Sequence, residues 1–207
     1  MDKYFTPFIS NRHMNSRERN DVLPEHNVGM YTVPQILTNK AEEFLSLAEQ
    51  LAGYGYHEVN LNLGCPSGTV VARNRGAGFL GTPRELENFL DEIFEKCPLE
   101  ISIKTRIGMD YMDEWAPLLK IYQKFPIKEL IIHPRLQKEG YKGTPHLEAF
   151  AEAVEALQCP LCYNGDITSP ETLATHPGKT AHGRYCHDRS GNLAKSGTVT
   201  AVEGYFH

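Results

Sequence analysis

No stretch of this chain approaches the roughly 20 consecutive apolar residues needed to span a bilayer, which predicts no membrane segment. Nor does its start, MDKYFTPFIS, read as a leader, because an acid stands at position 2 and the apolar run is short. Cysteine is scarce. Five in 207 residues is an odd number without small-scaffold spacing, which argues against a disulfide framework and for a reducing, cytoplasmic setting. A basic excess is also missing: the formal charge is −5, so phosphate recognition has to come from a local patch, for which Arg73 and Arg75 are candidates. What is present, 41% apolar residues over a length sufficient for one sizeable core, predicts a single soluble globular domain.

Six short apolar, β-branched runs bounded by turn residues read as buried parallel strands: KYFTPFIS, VGMYTVPQ, HEVNLNL, EISIKT, ELIIHP and PLCYN. Helical patterns lie between them. NKAEEFLSLAEQLAGYG spaces Phe44, Leu47, Ala48 and Leu51 along one face. TPRELENFLDEIFEK opens with Thr82 as N-cap, Pro83 at the first helical position and Glu85 to close a capping box. TPHLEAFAEAVEAL repeats the Thr-Pro start at Thr144, and DEWAPLLKIYQKF places Pro117 in a first turn. The predicted strand ends fall near Ser10, Gln35, Leu63, Thr105, His133 and Asn164, about 25 to 42 residues apart, the length of a strand-helix unit. That cadence suits an open doubly wound sheet or a TIM-type (β/α)8 barrel. The first expects a glycine-rich turn after its first strand, which is absent; the second gathers polar residues at every strand's carboxyl end, as here. The expectation is therefore the barrel.

Beyond Leu173 the pattern changes. Residues 174–207 hold one leucine, no isoleucine and four of the nine histidines, without periodicity, and composition reads them as a disordered tail. His182, Cys186 and His187 within it match no structural zinc spacing, so no metal is expected. A rival reading makes GTVTAVEGYF a substitute strand.

Alternation along a strand puts Asn60 with Asn62, Lys104 with Arg106, and His133 with Arg135. If Ile101 and Ile103 face the helices, these polar pairs face the barrel axis and rise toward its mouth. Cys97, Cys159, Cys162 and Cys186 read as small buried hydrophobes, and CPLC lies on a strand, where residues three apart face opposite sides. Cys65 differs. It follows a strand, precedes Pro66 and sits between Gly64 and Gly68, a loop position open to a ligand.

The stretch NLNLGCPSGTVVARNRGAGFL, supported in order by VPQI, IKTRIG, IHPR with GYKG, and YNGDI, resembles the tRNA-dihydrouridine synthases, from about Tyr4 to Leu173. The resemblance implies an FMN-binding barrel in which NADPH reduces the flavin, the flavin gives hydride to C6 of a uracil in tRNA, and Cys65 protonates C5. It implies that Asn62 orients uracil and flavin, that Gln35, Lys104 and His133 contact the flavin ring, and that Asn164 and Asp166 lie near its ribityl-phosphate end. Arg106 and Arg135 become cofactor or substrate contacts, and Arg73, Arg75 and Tyr141 RNA-side residues. The chemistry is coherent: a thiol, with a pKa of roughly 8.5 in water, keeps its proton at pH 7 until it is needed. A lysine at the pyrimidine end of the ring stabilises the charge gained on reduction, and the base must leave its stack to reach it.

Against that family pattern the chain is expected to lack the first and eighth strands, so that strands 2–7 of an incomplete barrel occupy residues 1–173, and to lack the C-terminal helical RNA-binding domain. The sequence AHGRYC around Arg184 imitates the turn of an eighth strand with no strand before it. The expectation is a truncated synthase whose reading frame is lost soon after Leu173, with two open sheet edges and weak FMN retention. Two alternatives stand: another FMN barrel oxidoreductase acting on a free pyrimidine, and a non-catalytic RNA-binding remnant.

Overall fold

The computed structural model of the protein describes residues 3–165 and 183–185. Six strands form where the apolar runs lie: β1 (Lys3–Ile9), β2 (Tyr31–Ile36), β3 (Glu58–Leu63), β4 (Glu100–Arg106), β5 (Leu130–His133) and β6 (Leu161–Tyr163). Each ends within one residue of its predicted end. All pair in parallel and in chain order. A further strand, β7 (Gly183–Tyr185), pairs in parallel with β6, so the sheet has seven strands. This departs from the sequence reading, which gave the stretch around Arg184 no strand. Three residues carry no alternation to detect, and what makes them a strand is register against the backbone of β6.

The sheet is rolled rather than open. Lys3 Nζ, at the start of β1, contacts Glu58 Oε1 at 2.6 Å and Glu129 Oε2 at 2.7 Å, the latter just before β5. In a flat sheet four strand spacings, about 19 Å, would separate β1 from β5, far beyond the combined reach of the two side chains. Tyr31 joins the cluster by donating to Glu58 Oε2 at 2.9 Å, and burial together with that carboxylate pushes its hydroxyl up to about 12.

Alternation sorts the two faces. Val59, Leu61, Leu63, Ile101, Ile103, Leu130 and Ile132 belong to the apolar core with Phe44, Leu47 and Leu51 of α2 (Ala41–Gly53), Leu86, Leu90 and Ile93 of α4 (Pro83–Lys96), Leu118 of α5 (Trp115–Tyr122) and Phe150 of α6 (Leu147–Ala156). The opposite face is polar: Gln35, Asn60, Asn62 and Ser102 are buried there and bonded to one another. Pro117 falls in the first turn of α5, as expected.

Two predicted helix starts differ. Pro83 opens α4, but Thr82 caps nothing, because its hydroxyl is engaged by Asn74 Nδ2 at 3.0 Å and Glu85 accepts from the same amide at 3.3 Å. α6 starts at Leu147 with His146 before it, not at Thr144. Two helices have no counterpart in the sequence reading: α1 (Ser16–Val22), with Asn15 and Glu18 forming a full capping box, and the single turn α3 (Gly68–Val71). No described helix is long and apolar enough to cross a membrane.

Candidate active site

The site is built on the loop that follows β3. Asn62 Oδ1 accepts from both Gly64 N and Cys65 N at 3.0 Å, folding the chain sharply as it leaves the strand. The Asn62 amide in turn donates to Gln35 Oε1 at 2.7 Å; Gln35 Nε2 donates to Asn60 Oδ1 at 2.9 Å, and Asn60 Nδ2 to Ser102 Oγ at 3.0 Å. One buried relay of amides therefore runs across three strands to the backbone of Cys65. Cys65 itself is half-buried and carries a free thiol.

The glycines beyond it are required by contact. Gly76 has φ +55, and a Cβ there would stand 2.9 Å from the Cys65 carbonyl; at Gly78 it would stand 2.8 Å from the Val71 carbonyl. Residues 76–81 can fold back as a 3-10 turn against the thiol loop only without side chains at these points.

Arg106, 1% exposed, holds the loop from the other side. Its Nε donates to Gly64 O at 2.9 Å, and its Nη1 to Leu136 O at 3.1 Å and Gly140 O at 2.7 Å. The guanidinium lies 5.3 Å from the centre of the Tyr141 ring. Burial pulls its pKa down, with Tyr141 and Cys65 acting in the opposite sense. Gln137 adds a second tie, Nε2 to Pro66 O at 3.2 Å. The loop after β5 is itself braced, since Glu139 accepts from Leu136 N at 2.7 Å and lies 2.8 Å from His146 Nε2.

His133 is buried at the end of β5, in register with Arg106, while Lys104 is in register with Asn62. Burial, and then the charges of Arg106, Lys104 and Arg135, lower its pKa to about 4 against an opposing hydrogen bond to Asn164, so the imidazole is neutral at pH 7. Arg135, also 1% exposed, donates from Nη2 to Gly143 O at 2.7 Å and meets His133 Nε2 at 3.3 Å.

Gln35, Asn62, Cys65, Lys104, Arg106, His133, Arg135 and Asn164 thus all stand at the carboxyl ends of β2 to β6. Tyr141 is 64% exposed at the rim. Arg73 is exposed, its carbonyl accepting from Asn39 Nδ2 at 3.3 Å. Arg75 is tied down, donating from Nη1 to Ser10 O at 3.1 Å and pairing through Nη2 with Glu43 at 3.0 Å. Burial raises the Glu43 pKa, but Thr38, Lys40 and Arg75 outweigh it and hold the carboxyl low. Asp166, His182, Cys186 and His187 lie outside the described residues, among which no cluster could hold a metal ion. Cys97 and Cys159 are free thiols, and Cys162 is fully buried, as its reading as a small core residue expects. A cavity of about 230 Å³ beside Tyr31, Tyr56 and Glu58 lies at the opposite end of the strands.

Parity singled out Asn62, Lys104, Arg106, His133 and Arg135, loop position singled out Cys65, and the family resemblance added Gln35 and Asn164; Gln137, Glu139 and Ser102 were missed, because only the fold supplies their partners.

A rolled parallel sheet with amides, cations and a thiol at its carboxyl mouth fits a partial barrel of the kind that keeps its chemistry at that end. The family model of dihydrouridine synthase (Dus) matches residues 2–185, and the chain belongs to this family. A "Probable tRNA-dihydrouridine synthase" of Staphylococcus epidermidis is 33% identical over 146 residues, 70% of this chain and 42% of that protein. A Staphylococcus aureus protein of the same name is also 33% identical, with the same coverage. "tRNA-dihydrouridine synthase B" of Vibrio parahaemolyticus is 26% identical over 157 residues, 75% of this chain and 48% of that protein. The chain spans less than half the length of these curated relatives.

A flavin fits the mouth on chemical grounds. Its ring presents carbonyl oxygens and ring nitrogens and becomes electron-rich on reduction. The described strand-end residues meant to face it, Gln35, Asn62, Lys104, His133 and Asn164, are amides, a cation and a neutral imidazole, with no acid among them.

Proposed function

We propose that this chain is the flavin-barrel portion of a tRNA-dihydrouridine synthase, reducing the C5=C6 bond of uridine in cytoplasmic tRNA with FMN as cofactor and NADPH as reductant. The observation that carries the reading is the Asn62-held turn, which fixes Cys65 at the same mouth as Lys104 and His133. Bound FMN, once reduced by NADPH, supplies the hydride that goes to C6 of the uracil.

Cys65 gives its thiol proton to C5, and the thiolate left behind is reprotonated from solvent. Arg106 steadies the loop that carries this thiol, donating from Nε to Gly64 O at 2.9 Å. His133, neutral at pH 7, orients by hydrogen bonding and leaves proton donation to the thiol. Gln35, Lys104 and His133 are assigned to the flavin ring, and Asn164 and Asp166 to its ribityl-phosphate end. Asn62 sets the turn between the two reactants. Arg135 and Tyr141 are assigned to the base and its flanking nucleotides, and Arg73 to RNA.

The test uses FMN-loaded protein with NADPH and unmodified tRNA, scoring dihydrouridine. Cys65→Ala is expected to keep flavin absorbance and its bleaching by NADPH while product formation falls about 10²- to 10⁴-fold. An undiminished rate in that variant removes the assignment.

A further inference from the structure

The segment between β1 and α1 has no part in the chemistry above, yet it is firmly built. Residues 11–19 hold Arg12, His13, Arg17 and Arg19, all exposed, against a single acid, Glu18. That acid is spent on the backbone: Oε1 accepts from Ser10 N at 3.1 Å and Oε2 from Asn15 N at 3.0 Å. Met14, 5% exposed, pins the middle of the segment into the core. Its root is tied to the active-site loop, because Arg75 donates to Ser10 O and the next residue, Gly76, packs on Cys65. Arg73 is exposed on that same loop.

The cations are available. Among the described residues no carboxylate pairs with Arg17, Arg19 or Arg73. Arg12 meets Glu42 at 2.7 Å, but the side chains are 50% and 75% exposed, a pairing that salt or a competing anion opens readily. On a chain of net charge −5 this is a local reversal of sign at the end of the barrel where substrate enters. All four are arginines, whose planar forks match the oxygens of phosphate.

We propose that Arg12, Arg17, Arg19 and Arg73 form a docking rim for the phosphate backbone of RNA, holding the tRNA beside the mouth while a base enters it. The proposal rests on the reading of the chain as a tRNA enzyme and adds to it where the backbone lies. Affinity from such contacts is electrostatic and falls with salt, with a slope set by the phosphates neutralised.

The experiment is binding of labelled, unmodified tRNA to the full, FMN-loaded chain across a salt series. Arg17→Gln/Arg19→Gln is expected to weaken binding about tenfold at low salt and to flatten the slope of log affinity against log salt by about one to two. Flavin content and its bleaching by NADPH should not move. Lys96→Gln/Lys128→Gln removes equal charge at the opposite end and should change neither quantity. An unchanged slope in the arginine pair, or an equal loss in both pairs, overturns the rim. Competition by polyglutamate as strong as by RNA overturns it in favour of an acidic protein. Wild-type protein that binds no tRNA at any salt overturns the tRNA reading as well, a failure visible before any substitution is made.

Discussion

Arg106 shows how a buried charge can serve position. Its forked donors reach three backbone carbonyls on two loops, a geometry that a lysine's single ammonium cannot reproduce. Arg106→Lys should therefore lower stability by about 2 kcal/mol, read from the urea midpoint. Amide exchange should quicken at residues 64–76 and stay unchanged in α4; a residue that only touched substrate would alter KM and leave exchange alone. His133 makes a prediction about acid. Its folded pKa of about 4 lies below the ordinary 6.5, so between those values the unfolded chain takes up a proton that the native imidazole refuses. Stability from this source is complete above pH 6.5, falls as pH drops through the window, and is down on the order of 3 kcal/mol at its lower end. Urea midpoints followed against pH should show a shallower acid limb for His133→Gln; identical limbs refute the shift. Both residues were legible in the sequence, because parity placed them on one face with Lys104. What they bond to was not, since Gly64 and Gly140 lie 42 and 34 residues from Arg106.

At the scale of elements, the strands of the first six units were legible because each is an apolar run closed by turn residues. α1 was not. SRERNDV has one buried residue, Val22, so no periodicity announces it; the Asn15–Glu18 capping box and the Met14 anchor make it a helix. The capping box expected from Thr82 and Glu85 fails for a related reason. Asn74, at φ +53, reaches both side chains first, and that competition belongs to the loop's path rather than to the helix's own sequence. The same loop yields a sharp test. Gly76→Ala puts a methyl group into the Cys65 carbonyl at a backbone angle that suits glycine, and should cost about 1–3 kcal/mol of stability in a thermal melt. A variant as stable as wild type would show that the loop does not need this close approach.

For the molecule as a whole, one ion-pair cluster bridges distant strands at the foot of the rolled sheet. Lys3 lies between Glu58 and Glu129, both nearly buried. Lys3→Met leaves two carboxylates without their cation and should cost about 3–5 kcal/mol by urea denaturation; Lys3→Met/Glu129→Gln should regain part of that, and a single-variant loss below about 1 kcal/mol would show the clasp to be idle. The edge strand β1 is guarded by its own irregularity, with Pro7 and a break in register between Phe5 and Phe8 that make it a poor template for another strand. Neighbours in this sheet are also neighbours along the polypeptide. A nascent chain leaving the ribosome can therefore lay every new strand on an edge already standing, and none has to be wedged between two others. Lys3 can meet its first acid only once residue 58 has emerged and its second only after residue 129, so the clasp at the foot cannot be complete before that point in synthesis.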